Sequence, residues 1–253
     1  MLEVRNLTKQ FGGLAAVNDV SVKLPASQIN AIIGPNGAGK STFFNLVAGT
    51  MTPTSGQIYF NGQDVTRLPS DKMAKLGIGR TFQSTTLFDQ FTVLDNLIVG
   101  HRLRTKSRFI DVLVNSKRLR REEQLCRDKA AEMLDFVGLS HIGHRMAADI
   151  SQEEKKRVAF ALALTTEPKL VLLDEPAGGV NPDETESFAE IIRKMVDHGI
   201  SVCLIEHKMD MIMSLADKIM VLDHGGKIAE GTPDEIRNNK QVIEAYLGSD
   251  TNA

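Results

Sequence analysis

Residues 34–41 read GPNGAGKS, set between the short apolar run INAIIG (29–34) and the helix-like STFFNLVAG (41–49). The pattern is G-x-x-x-x-G-K-[ST], and a strand before it with a helix after it is the context that gives it meaning. Its demands are geometric. Glycines let successive backbone N–H groups turn inward around phosphate oxygens. The following helix aims its positive end at the same anion. Lys40 can reach β and γ phosphates, and the Ser41 hydroxyl can ligate Mg²⁺. A chain that keeps this joint must therefore run a buried strand straight into a helix.

The remaining pattern agrees with such an α/β design. LEVRNLTK and AAVNDVSVKL, within residues 2–25, alternate apolar and polar, which predicts two antiparallel strands around a Gly12-Gly13 turn. GQIYFNGQDV (56–65) predicts a hairpin with an Asn61-Gly62 turn. A mostly helical stretch runs from about 92 to 148. A helix from Ser151 to about 165 and a strand at KLVLLDE (169–175) come next. The helix 182–199, the strand 200–206, a helix at 208–216, a hairpin at 218–231 and two short helices complete the order. Strands alternating with helices predict a mainly parallel sheet, with the early hairpins as an antiparallel addition.

LVLLDE (170–175) ends an apolar run in two adjacent carboxylates. Consecutive strand residues point to opposite faces, so Asp174 and Glu175 are expected to do different work. The natural division sends Asp174 toward a Mg²⁺ shell and Glu175 toward an attacking water.

Length and charge bound the rest. The 253 residues make one large domain or one domain with a sub-lobe. A formal net charge of −2 does not ask for nucleic acid or an anionic membrane. Cys126 and Cys203 stand far apart, so neither a zinc spacing nor a disulfide framework follows, and a reducing compartment fits. The N-terminal residues lack the apolar core of a signal peptide. The longest apolar run, Val158 to Leu164, is far shorter than the roughly 20 residues of a spanning helix. The basic stretch RLRTKSRFIDVLVNSKRLRREEQ (102–124) has two readings: a solvated helix face over an apolar stripe, or a contact with an acidic partner or lipid headgroups.

Three further segments matter as an ordered set: Gln83 after GIGRTF, Asn181 and Pro182 after DEPAGGV, and His207 after SVCLIE. The series of phosphate loop, isolated glutamine, LLDEP and a strand ending in histidine resembles the ATP-binding subunits of ABC transporters. The resemblance covers essentially the whole chain. It implies a P-loop NTPase fold with an antiparallel β subdomain and a helical subdomain. The core would be 1–91 and 149–237, the helical subdomain 92–148, and the C-terminal helix and tail 238–253. It implies ATP and Mg²⁺ as ligands. Phe11 would stack on adenine. Gly34, Asn36, Gly37, Ala38, Gly39, Lys40, Ser41 and Thr42 would hold the phosphates. Ser41, Gln83 and Asp174 would serve the metal. Glu175 would be the catalytic base, His207 would contact the γ-phosphate, and Gln83 would also touch the attacking water. Gly178 to Asn181 would cross to an opposite subunit.

RTFQSTTLFDQFTVLDNLIVG (80–100), the basic insertion, DEPAGGVNPDET (174–185), IEHKMDMIM (205–213) and EGTPDEIRNNKQVIEAYLG (230–248) look most like the ATPase subunits of branched-chain amino acid importers. Urea-type importers share much of this pattern. The implied partners are a second ATPase subunit, membrane permeases and, indirectly, an extracytoplasmic binding protein, with no nucleic acid. The implied location is peripheral, on the cytoplasmic face of the membrane.

One stretch departs from the family. Where L-S-G-G-Q is usual, this chain has Ile150, Ser151, Gln152, Glu153 and Glu154. Ser151 with Glu154 forms a capping box, so the helix start satisfies itself. In the family this helix start, Ser151 included, faces the nucleotide of the opposite subunit. Glu153 is expected to bring negative charge to that gap. At about 5 Å and an effective dielectric near 20, each pair of like charges costs about 3 kcal/mol. Rotation of the carboxylate, or screening by Lys155 and Lys156, would reduce that cost. Three readings follow: a Glu153 that points outward at little cost and leaves a slow but working signature, unequal sites in a heterodimer, or a regulatory subunit with little hydrolysis.

Overall fold

The computed structural model describes residues 1–81, 87–101 and 117–249. Most of the basic stretch 102–124 lies outside the described residues, and its last part opens a long helix. The chain divides into two compact units, Met1–Met73 with Lys169–Ala253, and Ala74–Pro168.

The first unit begins with β1 (Leu2–Phe11) and β2 (Leu14–Leu24), antiparallel across the glycine turn. Next, β3 (Ile29–Ile33) leads through the phosphate-loop sequence into α1 (Lys40–Val47). β4 (Ser55–Phe60) and β5 (Gln63–Asp64) form the second hairpin. Its turn residues Asn61 and Gly62 have φ of 51° and 82°, the left-handed pair that suits the twist of a two-residue hairpin. β1 pairs with β2 on one side and β4 on the other, giving an antiparallel sheet in the order β2-β1-β4-β5. Leu2, Val4, Leu7, Val20, Ile58 and Phe60 are its buried face.

α2 (Ser70–Leu76) leads into the second unit, which holds β6 (Ile78–Arg80), α3 (Val93–His101), α4 (Lys117–Phe136) and α5 (Gln152–Thr165). The three helices α3 to α5 pack on one another. Leu97, Ala130, Leu134, Val158, Ala161 and Leu164 are among the buried side chains, recurring at helical spacing. α5 belongs to this unit because its apolar residues are spent against α3 and α4.

The chain then returns to the first unit with β7 (Leu170–Asp174), α6 (Pro182–Asp197), β8 (Ser201–Ile205), α7 (Met209–Leu215), β9 (Lys218–Asp223) and β10 (Gly226–Gly231). α8 (Pro233–Arg237) and α9 (Lys240–Ser249) follow. Every residue of β3, β7 and β8 is buried. Strands covered on both faces read as near-continuous apolar runs, which is why these three lack a regular apolar–polar alternation, with Asn30, Ser201 and Asp174 the buried polar exceptions. Within this unit the sheet order is β10-β9-β3-β8-β7, parallel except for the β9–β10 hairpin.

The register of this sheet positions the chemistry. Ile205 at the end of β8 lies opposite both Ile32 of β3 and Asp174 of β7. The segments that leave these strands, at residues 34, 175 and 206, therefore start level with one another. Ligands of open α/β sheets bind in this place, outside the carboxyl ends of parallel strands. Both cysteines are free and buried, and burial pushes the Cys203 thiol upward, away from the reactive thiolate.

Candidate active site

The loop between β3 and α1 is built from backbone. Gly37 and Gly39 have φ of 80° and 98°, the left-handed region that favours glycine. A Cβ at Gly39 would lie 2.2 Å from the Ala16 carbonyl oxygen, so no side chain fits there. Gly39 also starts α1 without a side-chain cap, and no acid stands in that helix's first turn. The positive end of α1 is thus left for an external anion. Lys40 is 7% exposed, and its Nζ donates to the carbonyls of Gly34 at 2.7 Å and Pro35 at 2.9 Å. An ammonium has three N–H donors, so one remains for a ligand. Burial pushes the Lys40 pKa down, and the nearby Glu175 and Asp174 charges pull it back up.

The acidic strand end departs from expectation in one respect. β7 stops at Asp174, so Glu175 is not a strand residue facing the opposite side. Glu175 instead has φ of 50°. Its N–H donates to Ile205 O at 2.9 Å and its carbonyl accepts from Gly178 N–H at 3.1 Å. A left-handed glutamate stores on the order of 1–3 kcal/mol of backbone strain, held by the surrounding sheet. The turn swings its Oε1 to 3.0 Å from His207 Nε2. Both side chains are between a third and a half exposed, so water reaches the pair.

Asn36 to Thr42, Glu175, His207 and Ala16 line one cleft of about 220 Å³. That is smaller than the roughly 300–1,000 Å³ of pockets that enclose drug-sized ligands. It suits a polyphosphate tail, with the rest of the ligand outside. Phe11 stands outside this lining at the end of β1, 48% exposed, with the Lys9 ammonium 5.2 Å from its ring centroid. Gly34 is buried behind the loop, and Asp174 is 5% exposed beside Glu175. Gln83 lies outside the described residues.

Residues 17–178 match the family model described as ABC transporter. The chain belongs to the ABC transporter family. As an ABC ATPase it binds ATP with Mg²⁺ and hydrolyses the nucleotide. Residues 227–251 of this cassette also match a model described as branched-chain amino acid ATP-binding cassette transporter. Over 249 residues, and 98% of each chain, it is 41% identical to the high-affinity branched-chain amino acid transport ATP-binding protein BraF of Pseudomonas aeruginosa. The identity to the LivG protein of the same description from Escherichia coli is 39%, again over 98% of each chain. Its fold is similar to the crystal structure of the ADP conformation of an ATP-binding cassette of an ABC transporter, with TM-score 0.86, 32% identity and 98% of each chain covered. A nucleotide-free cassette superposes with TM-score 0.85 at 33% identity, covering 97% of this chain and 98% of that one.

The cassette's donor set fits Mg²⁺. Ser41 lines the cleft and offers a hydroxyl oxygen; Asp174, buried at the end of β7 and not part of that lining, carries carboxylate oxygens; and the described residues contain no cluster of three or more His, Cys, Asp or Glu able to cage an ion alone. Mg²⁺ is usually held in this way, by one or two protein oxygens completed with substrate phosphates and water.

Some residues of this cassette's site escape a motif reading. Ala16 lines the cleft from β2 because its carbonyl abuts Gly39. The β9–β10 turn meets the same loop: Gly225 N–H donates to Ala38 O at 3.2 Å, and Gly225 O accepts from Asn18 N–H at 2.8 Å. Burial pushes the Tyr246 phenol up, while a hydrogen bond from the Gly34 backbone opposes that shift, so α9 touches the loop's first glycine. Glu206 and Lys208, on either side of His207, bond the segment after Glu175. The one available signal was Glu206 itself, a charged residue closing the apolar run SVCLI.

In the second unit, Ser151 caps α5 as the sequence predicts. Glu154 N–H donates to Ser151 Oγ at 3.1 Å, and Ser151 N–H donates to Glu154 Oε2 at 2.6 Å. Arg145 adds a contact to Glu154 Oε1 at 3.4 Å. For Glu153 the structure adds a partner the sequence reading did not name: its carboxylate reaches along the helix to Arg157, 2.5 Å away. Arg157 is one helical turn on, where an i,i+4 partner lies on the same face. The contrast with α1 is plain: one helix begins uncapped and without acids, the other capped and doubly acidic.

Proposed function

We propose that this chain is the ATP-hydrolysing subunit of an importer for branched-chain amino acids, acting from the cytoplasmic face on membrane permeases. The observation that carries the reading is the single cleft in which Lys40, Glu175 and His207 meet. The description of BraF and LivG as high-affinity branched-chain amino acid transport proteins supports the substrate class. No helix among the described residues is long and apolar enough to cross a membrane, which agrees with a peripheral role.

In this reading the main-chain N–H groups of residues 36–42 and the Lys40 ammonium hold the polyphosphate. Ser41 and Asp174 would hold Mg²⁺, which offsets charge on the phosphate oxygens. Glu175 accepts the proton of an attacking water at its carboxylate. His207 steadies that carboxylate through Nε2 and contacts the γ-phosphate. Phe11 offers a flat apolar face to the base, and Gln83 would complete the water and metal contacts. The organisation is a nucleotide core with a helical subdomain and a C-terminal helix. The test is uptake of labelled leucine by vesicles carrying the complete transporter, with urea as competing solute. ATP-dependent leucine uptake unaffected by urea is expected; uptake of urea alone defeats the substrate assignment.

We further propose pairing with a different ATPase subunit. Gln152 and Glu153 replace the glycines through which this helix start would meet the partner's nucleotide, and Glu153 adds charge that Arg157 only partly offsets. The second reading, a nucleotide-binding regulatory subunit, draws on the same residues. Restoring both glycines, Gln152→Gly with Glu153→Gly, is expected to raise turnover of the assembled complex several-fold. Unchanged turnover and unchanged dimer affinity would remove the weakened-site idea.

A further inference from the structure

Glu206 is the last residue before His207 and is 3% exposed. Its Oε1 accepts the Ala177 N–H at 2.9 Å and its Oε2 accepts the His207 N–H at 2.7 Å. A buried carboxylate is costly unless hydrogen bonds match it. An apolar residue here would fill the space and accept neither N–H. What the carboxylate supplies is a bridge between two loops whose residues stand 29 positions apart.

Two more ties run between the same loops. His207 Nε2 meets Glu175 Oε1 at 3.0 Å. Lys208 Nζ donates to Val180 O at 2.9 Å and to Thr185 Oγ1 at 2.7 Å. Glu206, His207 and Lys208 thus bond successive points of the segment 175–185. The strands below set the spacing, because Asp174 and Ile205 are in register and Glu175 N–H bonds Ile205 O. The strands align the loops, and the side chains fix how each loop turns. Glu175 most needs this, since its left-handed backbone is strained and its side chain is 36% exposed.

We propose that Glu206 and Lys208 are positioning residues that hold the Glu175 turn against the His207 loop and so set the approach of Glu175 to its water. The inference rests on the hydrolytic reading of this cleft. Neither residue lines the cleft, so neither acts as a catalytic group.

The test uses the full chain in the assembled transporter, with Glu206→Gln as the first variant. The amide keeps the shape and one acceptor oxygen but presents an N–H₂ to one of the two backbone donors. A misplacement near 1 Å can cost about 100-fold in rate, so kcat is expected to fall by about 10- to 100-fold. Mg·ATP affinity should stay within about twofold, because the residue 34–42 loop makes none of these contacts. In a Glu175→Gln background the same change should add less than about twofold, as residues acting through one group are non-additive. Where Glu206→Gln does not fold, Lys208→Met decides, with a fall in kcat of about 3- to 10-fold at unchanged affinity. The proposal is overturned by wild-type kcat in the folded variant, by kcat and affinity falling together, or by full additivity with Glu175→Gln. The hydrolytic reading fails separately, if the wild-type complex shows no turnover that Glu175→Gln removes.

Discussion

Lys40→Ala in the full chain is expected to lower Mg·ATP affinity by about 100-fold, with turnover lost at ordinary nucleotide concentrations. Lys40 is buried and its ammonium is already held by two carbonyls, so little of its orientation is left to chance. A hydrogen bond between charged groups contributes roughly 1.5–3 kcal/mol, which spans about tenfold to somewhat over a hundredfold in affinity. Titration calorimetry reads the result, and near-native affinity in a folded variant would show that the cleft does not hold a polyphosphate through Lys40.

The same side chain carries a pH dependence whose sign follows from burial. Burial holds the Lys40 pKa below its usual 10.5, although Glu175 and Asp174 oppose the shift. Without ligand, Lys40 therefore gives up its proton earlier on the alkaline side than a solvated lysine. A bound polyphosphate favours the charged form and draws the proton back. Binding at alkaline pH is thus expected to take up protons and to weaken as pH rises through the lowered pKa. Calorimetry in buffers of different ionisation heat measures the uptake, and none in that range contradicts the assignment. Folding follows the same linkage. The unfolded chain binds more protons between the lowered value and 10.5, so the unliganded fold gains stability as pH rises there.

Glu175→Gln is the second large effect. The amide keeps the shape of the turn and the backbone bonds to Ile205 and Gly178, but it no longer accepts a proton. A positioned general base contributes about 100- to 10,000-fold, and kcat is expected to fall within that range. Mg·ATP affinity should remain within about threefold, because Lys40 and the loop glycines are untouched. Steady-state turnover with equilibrium binding separates the two quantities. Turnover that survives in Glu175→Gln would point to the regulatory reading, since hydrolysis would then not depend on this carboxylate.

Much of this molecule is legible from local pattern. The loop at residues 34–41 needs left-handed glycines and an uncapped helix start, and both requirements lie within a few residues of each other. The Ser151–Glu154 box is equally local, since an N-cap and its third residue meet wherever the helix begins. The largely apolar runs of β3, β7 and β8 announce buried parallel strands without reference to their partners.

The contacts that arm the cleft are of another kind. Glu175 meets His207 across 32 positions, and Ala177 meets Glu206 across 29. No spacing in the chain specifies those pairs. They exist because β7 and β8 lie side by side with Asp174 opposite Ile205, and because Glu175 turns left-handed where alternation would have kept it in the strand. By itself, then, the amino-acid order determined the phosphate loop, the parallel strands and the capped helix, whose requirements are met by near neighbours. Tertiary structure alone decided which carboxylate faces which partner, since strand register sets distances between residues that the chain keeps far apart.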